Sequence, residues 1–115
     1  MIGRHSDELA KYWQNRFDIV MKLWPQTSKK IKSMLKKSHR LAKEGKPQEA
    51  LNVFLKAKKL FEDYRDEVTD IVTELARHKG STIREIMKRT RVDHYLSALD
   101  EDLDLFEKAL HEGDY

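Results

Sequence analysis

The chain has 115 residues, of which 37% are charged, and a formal net charge of only +3. This length predicts one helical domain over residues 1–115. The absence of cysteine excludes a disulfide framework and thiolate zinc sites, and it favours a cytoplasmic location. No apolar run is long enough to predict a signal peptide or a membrane partner. High charge with four glycines and two prolines is typical of an all-α fold.

The first two predicted helices are separated by a proline. Ser6 is a suitable N-cap for the first helix, whose apolar stripe runs from Leu9 to Trp24. Pro25 is expected to end that helix because the residue before a proline disfavours the α conformation. Thr27 or Ser28 then caps a second helix, which ends at the turn Gly45-Lys46-Pro47.

A long helix is predicted over about residues 48–78, which contain neither glycine nor proline. Apolar side chains alternate there in steps of four and three, which places them on one stripe. They are Ala50, Phe54, Ala57, Phe61, Tyr64, Val68, Ile71 and Leu75. At 1.5 Å per residue this helix is about 46 Å long, so its stripe must be covered by the rest of the chain or by a second copy. We expect a second copy to cover part of it. The residues predicted for this homo-oligomer interface are Phe61, Tyr64, Val68, Ile71 and Leu75.

The last part of the chain predicts a further helix with a possible break near residues 90–93. Gly80 is a suitable stop for the long helix, and Thr82 with Glu85 forms a capping box. From Val92 to Leu110 the four-three apolar alternation returns. Short connections favour antiparallel neighbours, so the predicted architecture is an antiparallel four-helix bundle.

Charge is distributed unevenly along the chain. Residues 26–47 hold eight basic residues and one acidic residue, whereas residues 92–115 hold one basic and eight acidic residues. These segments could pair within one molecule, pair between copies, or present a basic face to a polyanion. The lysines predicted to contact a nucleic-acid backbone are Lys29, Lys30, Lys32, Lys36, Lys37 and Lys43. No aromatic residue lies between Trp24 and Phe54, so base stacking is not predicted on this face.

Residues 34–61 resemble the helical hairpin of tetratricopeptide proteins. Gly45 at the turn is followed by Glu49-Ala50, then by Phe54 and Ala57, at the spacing of that family. Only about one repeat is covered, and a solenoid needs three or more repeats. The resemblance implies a closely packed hairpin and, through it, a role in protein binding.

A second resemblance concerns Arg89 and His94, which are separated by four residues. The spacing and its position before the last helix resemble the ribonuclease motif of HEPN four-helix domains. That resemblance implies a metal-independent ribonuclease in which the histidine handles the 2′-hydroxyl proton and the arginine stabilises charge on the phosphate. Residues 83–96 can also be interpreted as a helix-turn-helix that reads DNA.

No cofactor motif is recognisable, and no small-molecule substrate is inferred. Asp100, Asp104, Glu107 and His111 lie at helical spacing and could hold a cation, but we expect them to be solvated, so no metal site is predicted. The sequence therefore favours a non-catalytic binding and assembly protein that self-associates and engages a protein or a nucleic-acid backbone. The ribonuclease is the alternative.

Overall fold

The computed structural model describes the backbone of residues 2–114 and the side chains of residues 8–114. Over this range the chain forms helices and no strand. The helices are α1 (Ile2–Lys22), α2 (Trp24–Lys43), α3 (Pro47–Lys79), α4 (Ile83–Arg89) and α5 (Val92–Glu112). The predicted all-α bundle is confirmed, as is the long helix over about residues 48–78. The break expected near 90–93 lies between α4 and α5.

The connection between α1 and α2 differs from the expectation. Only Leu23 interrupts the helical path, and Pro25 lies in the first turn of α2 rather than after the end of α1. Proline is tolerated there because the first helical N–H groups have no intrahelical partner. The helix predicted to be capped by Thr27 or Ser28 thus begins earlier. The predicted start at Ser6 is also too late, since α1 already begins at Ile2; the Ser6 side chain lies outside the described residues.

Helix α3 runs antiparallel to α2 over its first half and to α1 over its second half. The Ser38 hydroxyl donates a hydrogen bond of 2.6 Å to the Ala50 carbonyl, and the Tyr64 hydroxyl donates one of 2.7 Å to the Val20 carbonyl. Since α1 and α2 both lie along α3 and barely contact each other, they form one bent rod rather than a hairpin. The molecule is correspondingly elongated, with extents of 64 × 19 × 17 Å.

Helices α4 and α5 return along α3. Gly80, with φ of +66°, ends α3, and the predicted capping box of Thr82 and Glu85 starts α4. Helix α5 then runs antiparallel to α3, with Phe106 stacked on Phe54 at a centroid distance of 5.6 Å. Because α5 also contacts α2, the helices α2, α3 and α5 form a three-helix bundle at one end of the molecule.

The apolar stripe of α3 is covered within the chain itself. All eight of its residues are buried, and the most exposed of them, Tyr64, retains only 7% of its accessible surface. The stripe is longer than one partner helix, but α1 and α2 together extend along its whole length. The five residues predicted for the contact between copies are buried in the core of the single chain, so a contact through them would require the helices to separate. They are Phe61, Tyr64, Val68, Ile71 and Leu75.

Candidate nucleic-acid interface

Helix α2 turns an unusually basic face to solvent. It contains seven lysine and arginine residues and no aspartate or glutamate. Its buried residues, Ile31, Ser38 and Ala42, fix the side that packs on α3. The seven cations lie on the other sides of the helix. Because of this arrangement, α2 can bury its apolar side while all seven charges remain in water.

Five of these cations lie on one line along α2, which we call the α2 stripe. They are Lys29, Lys32, Lys36, Arg40 and Lys43. Their spacing of three or four residues aligns them on one side of the helix, over about 21 Å at 1.5 Å per residue. All five are exposed, as are the other two predicted lysines, Lys30 and Lys37, on the flank of the stripe. Arg40 was missed in the sequence prediction, although its spacing was the signal that could have found it.

The charges of the α2 stripe have no direct partner among the described residues. The ion pairs within this range involve cations on α1 and α3 only. Among the acidic side chains of α5, Glu107 is the one that forms an ion pair within the described residues. It accepts from Lys58 of α3 at 3.0 Å, and this contact raises the pKa of Lys58 against the opposing effect of burial. The basic and acidic segments are therefore not joined by ion pairs at the α2 stripe.

Two grooves adjoin the α2 stripe and share Ser28 and Lys32. The first, of about 470 Å³, runs along α2 and is lined further by Pro25, Lys29, Ser33 and Lys36. The second, of about 130 Å³, lies between α2 and α5. Its remaining lining residues are Trp24, His94, Tyr95, Ala98, Leu99 and Asp102.

The aromatic residues of the second groove were not expected beside the lysines. The ring of Tyr95 lies 6.4 Å from Trp24 and 5.9 Å from His94, measured between centroids. Tyr95 retains 42% of its accessible surface. Trp24 precedes the lysines in sequence, but His94 and Tyr95 come from α5, and only the packing of α5 on α2 brings them to the stripe.

Arg89 and His94 lie on opposite sides of the turn between α4 and α5. Arg89 is the last residue of α4 and His94 is in the first turn of α5, and both are exposed. The turn between them contains Arg91 in the left-handed conformation, with φ of +60°. No hydrogen bond within the described residues joins the two side chains. The sequence motif is thus split by a turn.

As a helix-turn-helix, this region would present a poor surface to DNA. Helix α4 has only seven residues. The side of α5 that remains exposed carries Asp100, Glu101, Asp102 and Asp104, which repel phosphate groups.

The chain matches no protein-family model, no curated protein and no solved structure. The tetratricopeptide and HEPN resemblances therefore remain predictions. Within the described part of the chain, no helix has both the length and the apolar character needed to span a membrane. Over the same residues, no group of three or more side chains of the metal-binding types comes together.

Proposed function

We propose that this protein binds a nucleic-acid backbone through the α2 stripe and has no catalytic role in doing so. One observation carries the proposal: α2 exposes seven cations, carries no carboxylate, and forms no ion pair within the described residues. Exposed cations without an ion-pair partner gain the most binding free energy from a polyanion. Binding phosphates then releases condensed counterions without first breaking internal ion pairs.

A linear polyanion fits this surface better than a membrane does. Helices that bind membrane surfaces insert an apolar face between lipids, whereas the apolar face of α2 is buried against α3. Among the described residues, none of the strongly exposed large apolar side chains lies on α2. A folded protein partner would require apolar or aromatic anchors along the whole stripe, whereas the exposed ring of Tyr95 lies near one end of it, beside Lys32.

The composition of the α2 stripe favours binding without recognition of base sequence. Four of its five members are lysines, which act as point charges toward phosphate oxygens. Base edges are read most often by arginine or amide side chains in bidentate geometry. Arg40 is the only arginine on α2, so we expect contacts to phosphates to dominate.

The test compares two triple variants that lose the same charge at different places. The stripe variant is Lys29→Gln, Lys32→Gln and Lys36→Gln; the control is Lys11→Gln, Lys56→Gln and Lys108→Gln, all exposed lysines on other helices. Fluorescence anisotropy with a labelled oligonucleotide at low salt should show about tenfold or greater weakening for the stripe variant. The control should bind within about twofold of wild type. Equal weakening in both variants, or no binding by wild type, would overturn the proposal.

A metal-independent ribonuclease that uses Arg89 and His94 is the second candidate. It is favoured by one observation: His94 lines the same groove as Lys32, where RNA would lie. Cleavage of RNA in the presence of a chelator, lost in His94→Ala while helicity and RNA binding persist, would support this candidate. RNA that stays intact with wild type excludes it. Self-association through the α3 stripe is not part of either proposal, because that stripe is buried.

A further inference from the structure

We infer that the nucleic acid bound at the α2 stripe is single-stranded, and that one of its bases stacks in the groove between α2 and α5. This inference rests on the proposed function and adds the class of nucleic acid. It comes from the position of a group of mutually packed aromatic rings beside the lysines.

The rings of this groove are held in place from the core outward. The Tyr64 hydroxyl is fixed to the Val20 carbonyl, the ring of Trp24 lies 5.3 Å from Tyr64, and Tyr95 lies 6.4 Å from Trp24. His94 completes the series at 5.9 Å from Tyr95. An aromatic surface that is ordered before binding loses little conformational entropy when a ligand stacks on it.

Tyr95 packs on Trp24, and this contact leaves a large part of its ring exposed. The residue after it, Leu96, makes the core contact at this turn of α5 and is 6% exposed, whereas Tyr95 is 42% exposed. Its hydroxyl makes no hydrogen bond within the described residues. A base has a π-face that stacks on such a ring irrespective of its identity, which suits a site that does not read sequence.

The groove along α2 suits the phosphate of a nucleotide, and the groove between α2 and α5 suits its base. Lys29 and Lys36 line only the groove along α2, while Lys32 and Ser28 line both grooves. A phosphate held by the lysines therefore leaves its base next to Trp24 and Tyr95. The second groove, of about 130 Å³, is open to solvent beside the exposed ring of Tyr95.

The charges that face the second groove also favour a nucleotide whose phosphate lies on α2 and whose base enters this groove. Asp102 of α5 lies across the groove from Lys32 of α2, and both line it together with His94. The Asp102 carboxylate repels phosphate, so the backbone is kept on the α2 side and an uncharged base enters the groove. A base inside a duplex is paired and stacked, and it cannot enter without being displaced from the helix.

The test compares three probes of equal length and charge labelled with fluorescein: a thymidine homopolymer, the same backbone without bases, and a hairpin duplex. We expect wild type to bind the thymidine homopolymer at least about fivefold more tightly than the abasic strand, since base stacking on aromatic side chains contributes that much or more. Tyr95→Leu should lose this advantage without changing its affinity for the abasic strand. Tyr95→Phe, which keeps the ring, should retain it.

The possible results separate the inference from the proposed function. If wild type binds the abasic strand or the duplex as tightly as the homopolymer, or if Tyr95→Leu binds like wild type, the stacking site is wrong while the α2 stripe stands. If wild type binds none of the three probes, both fail. Circular dichroism of Tyr95→Leu and Tyr95→Phe checks that each variant keeps the helical fold.

Discussion

The Tyr64 hydroxyl of α3 donates a hydrogen bond of 2.7 Å to the Val20 carbonyl, close to the point where α1 gives way to α2. The same carbonyl accepts a bond of 3.2 Å from the Leu23 backbone N–H, which closes the last turn of α1. Tyr64 thus fixes the bend between the two helices to the core of α3. Because Trp24 packs on the Tyr64 ring, this contact also positions the start of α2 and the groove beside it.

Replacing Tyr64 with phenylalanine should destabilise the protein modestly. The variant keeps the ring and removes one buried hydrogen bond, which typically contributes about 1 kcal/mol. Urea unfolding followed by circular dichroism measures the difference in the free energy of unfolding. Tyr12→Phe is the matched control, because Tyr12 is 51% exposed and should change stability by less than about 0.5 kcal/mol. Equal stability of Tyr64→Phe and wild type would show that the bond does not stabilise the bend.

Alkaline pH should weaken the fold through the same residue. Burial, assisted by the nearby charge of Glu67, raises the pKa of Tyr64 from 10.0 to about 12. Between these values the unfolded chain loses the phenol proton while the folded chain retains it, so the free energy of unfolding falls as pH rises through this window. Below pH 10 this effect is absent. Tyr64→Phe should show a shallower fall between pH 10 and 12 in urea unfolding, and parallel curves for the two proteins would contradict the assignment.

The turn between α2 and α3 should tolerate asparagine better than alanine at Gly45. Its φ of +78° is in the left-handed region, and an added Cβ would meet no atom within 4 Å. The cost of Gly45→Ala is therefore backbone strain alone, about 1 kcal/mol. Gly45→Asn should cost less, since asparagine adopts this conformation more readily. Thermal unfolding of both variants checks the order, and an alanine variant as stable as wild type would contradict it.

Phe61→Ala distinguishes a core residue from an interface residue. Phe61 is 1% exposed within the single chain, so we expect a loss of about 3–5 kcal/mol in the free energy of unfolding and no change in solution mass. Leu105→Ala is the control, since Leu105 is 68% exposed on α5. Sedimentation and urea unfolding supply the two measurements. A Phe61→Ala variant that keeps wild-type stability but dissociates from a larger species would restore the predicted contact between copies.

Local signals in the sequence were sufficient for α3 and for the start of α4. The uninterrupted four-three alternation predicted α3, and Gly80 with the Thr82 capping box predicted the junction that follows it. Pro25 was misinterpreted because proline is compatible both with the residue after a helix and with the first turn of the next one. Sequence alone does not distinguish these two positions.

The remaining differences come from tertiary packing. A heptad stripe indicates that an apolar surface is covered, but it does not indicate which helix covers it. In the structure, α1 and α2 form a nearly continuous rod that covers the stripe of α3. The lysines of α2 were visible in the sequence because they lie in one segment. The groove between α2 and α5 was not visible in the sequence, because Tyr95 and Lys32 line it together only when α5 packs against α2.

The central claim, that the α2 stripe binds phosphates, is tested most directly by the salt dependence of binding to single-stranded DNA. The logarithm of the association constant should fall linearly with the logarithm of salt concentration, with a slope of about −3 to −4 if all five cations of the stripe contact phosphates. In Lys36→Gln the slope should become less steep by about 0.7, because one contact is lost. An affinity that does not change with salt, or an unchanged slope in Lys36→Gln, would contradict the claim.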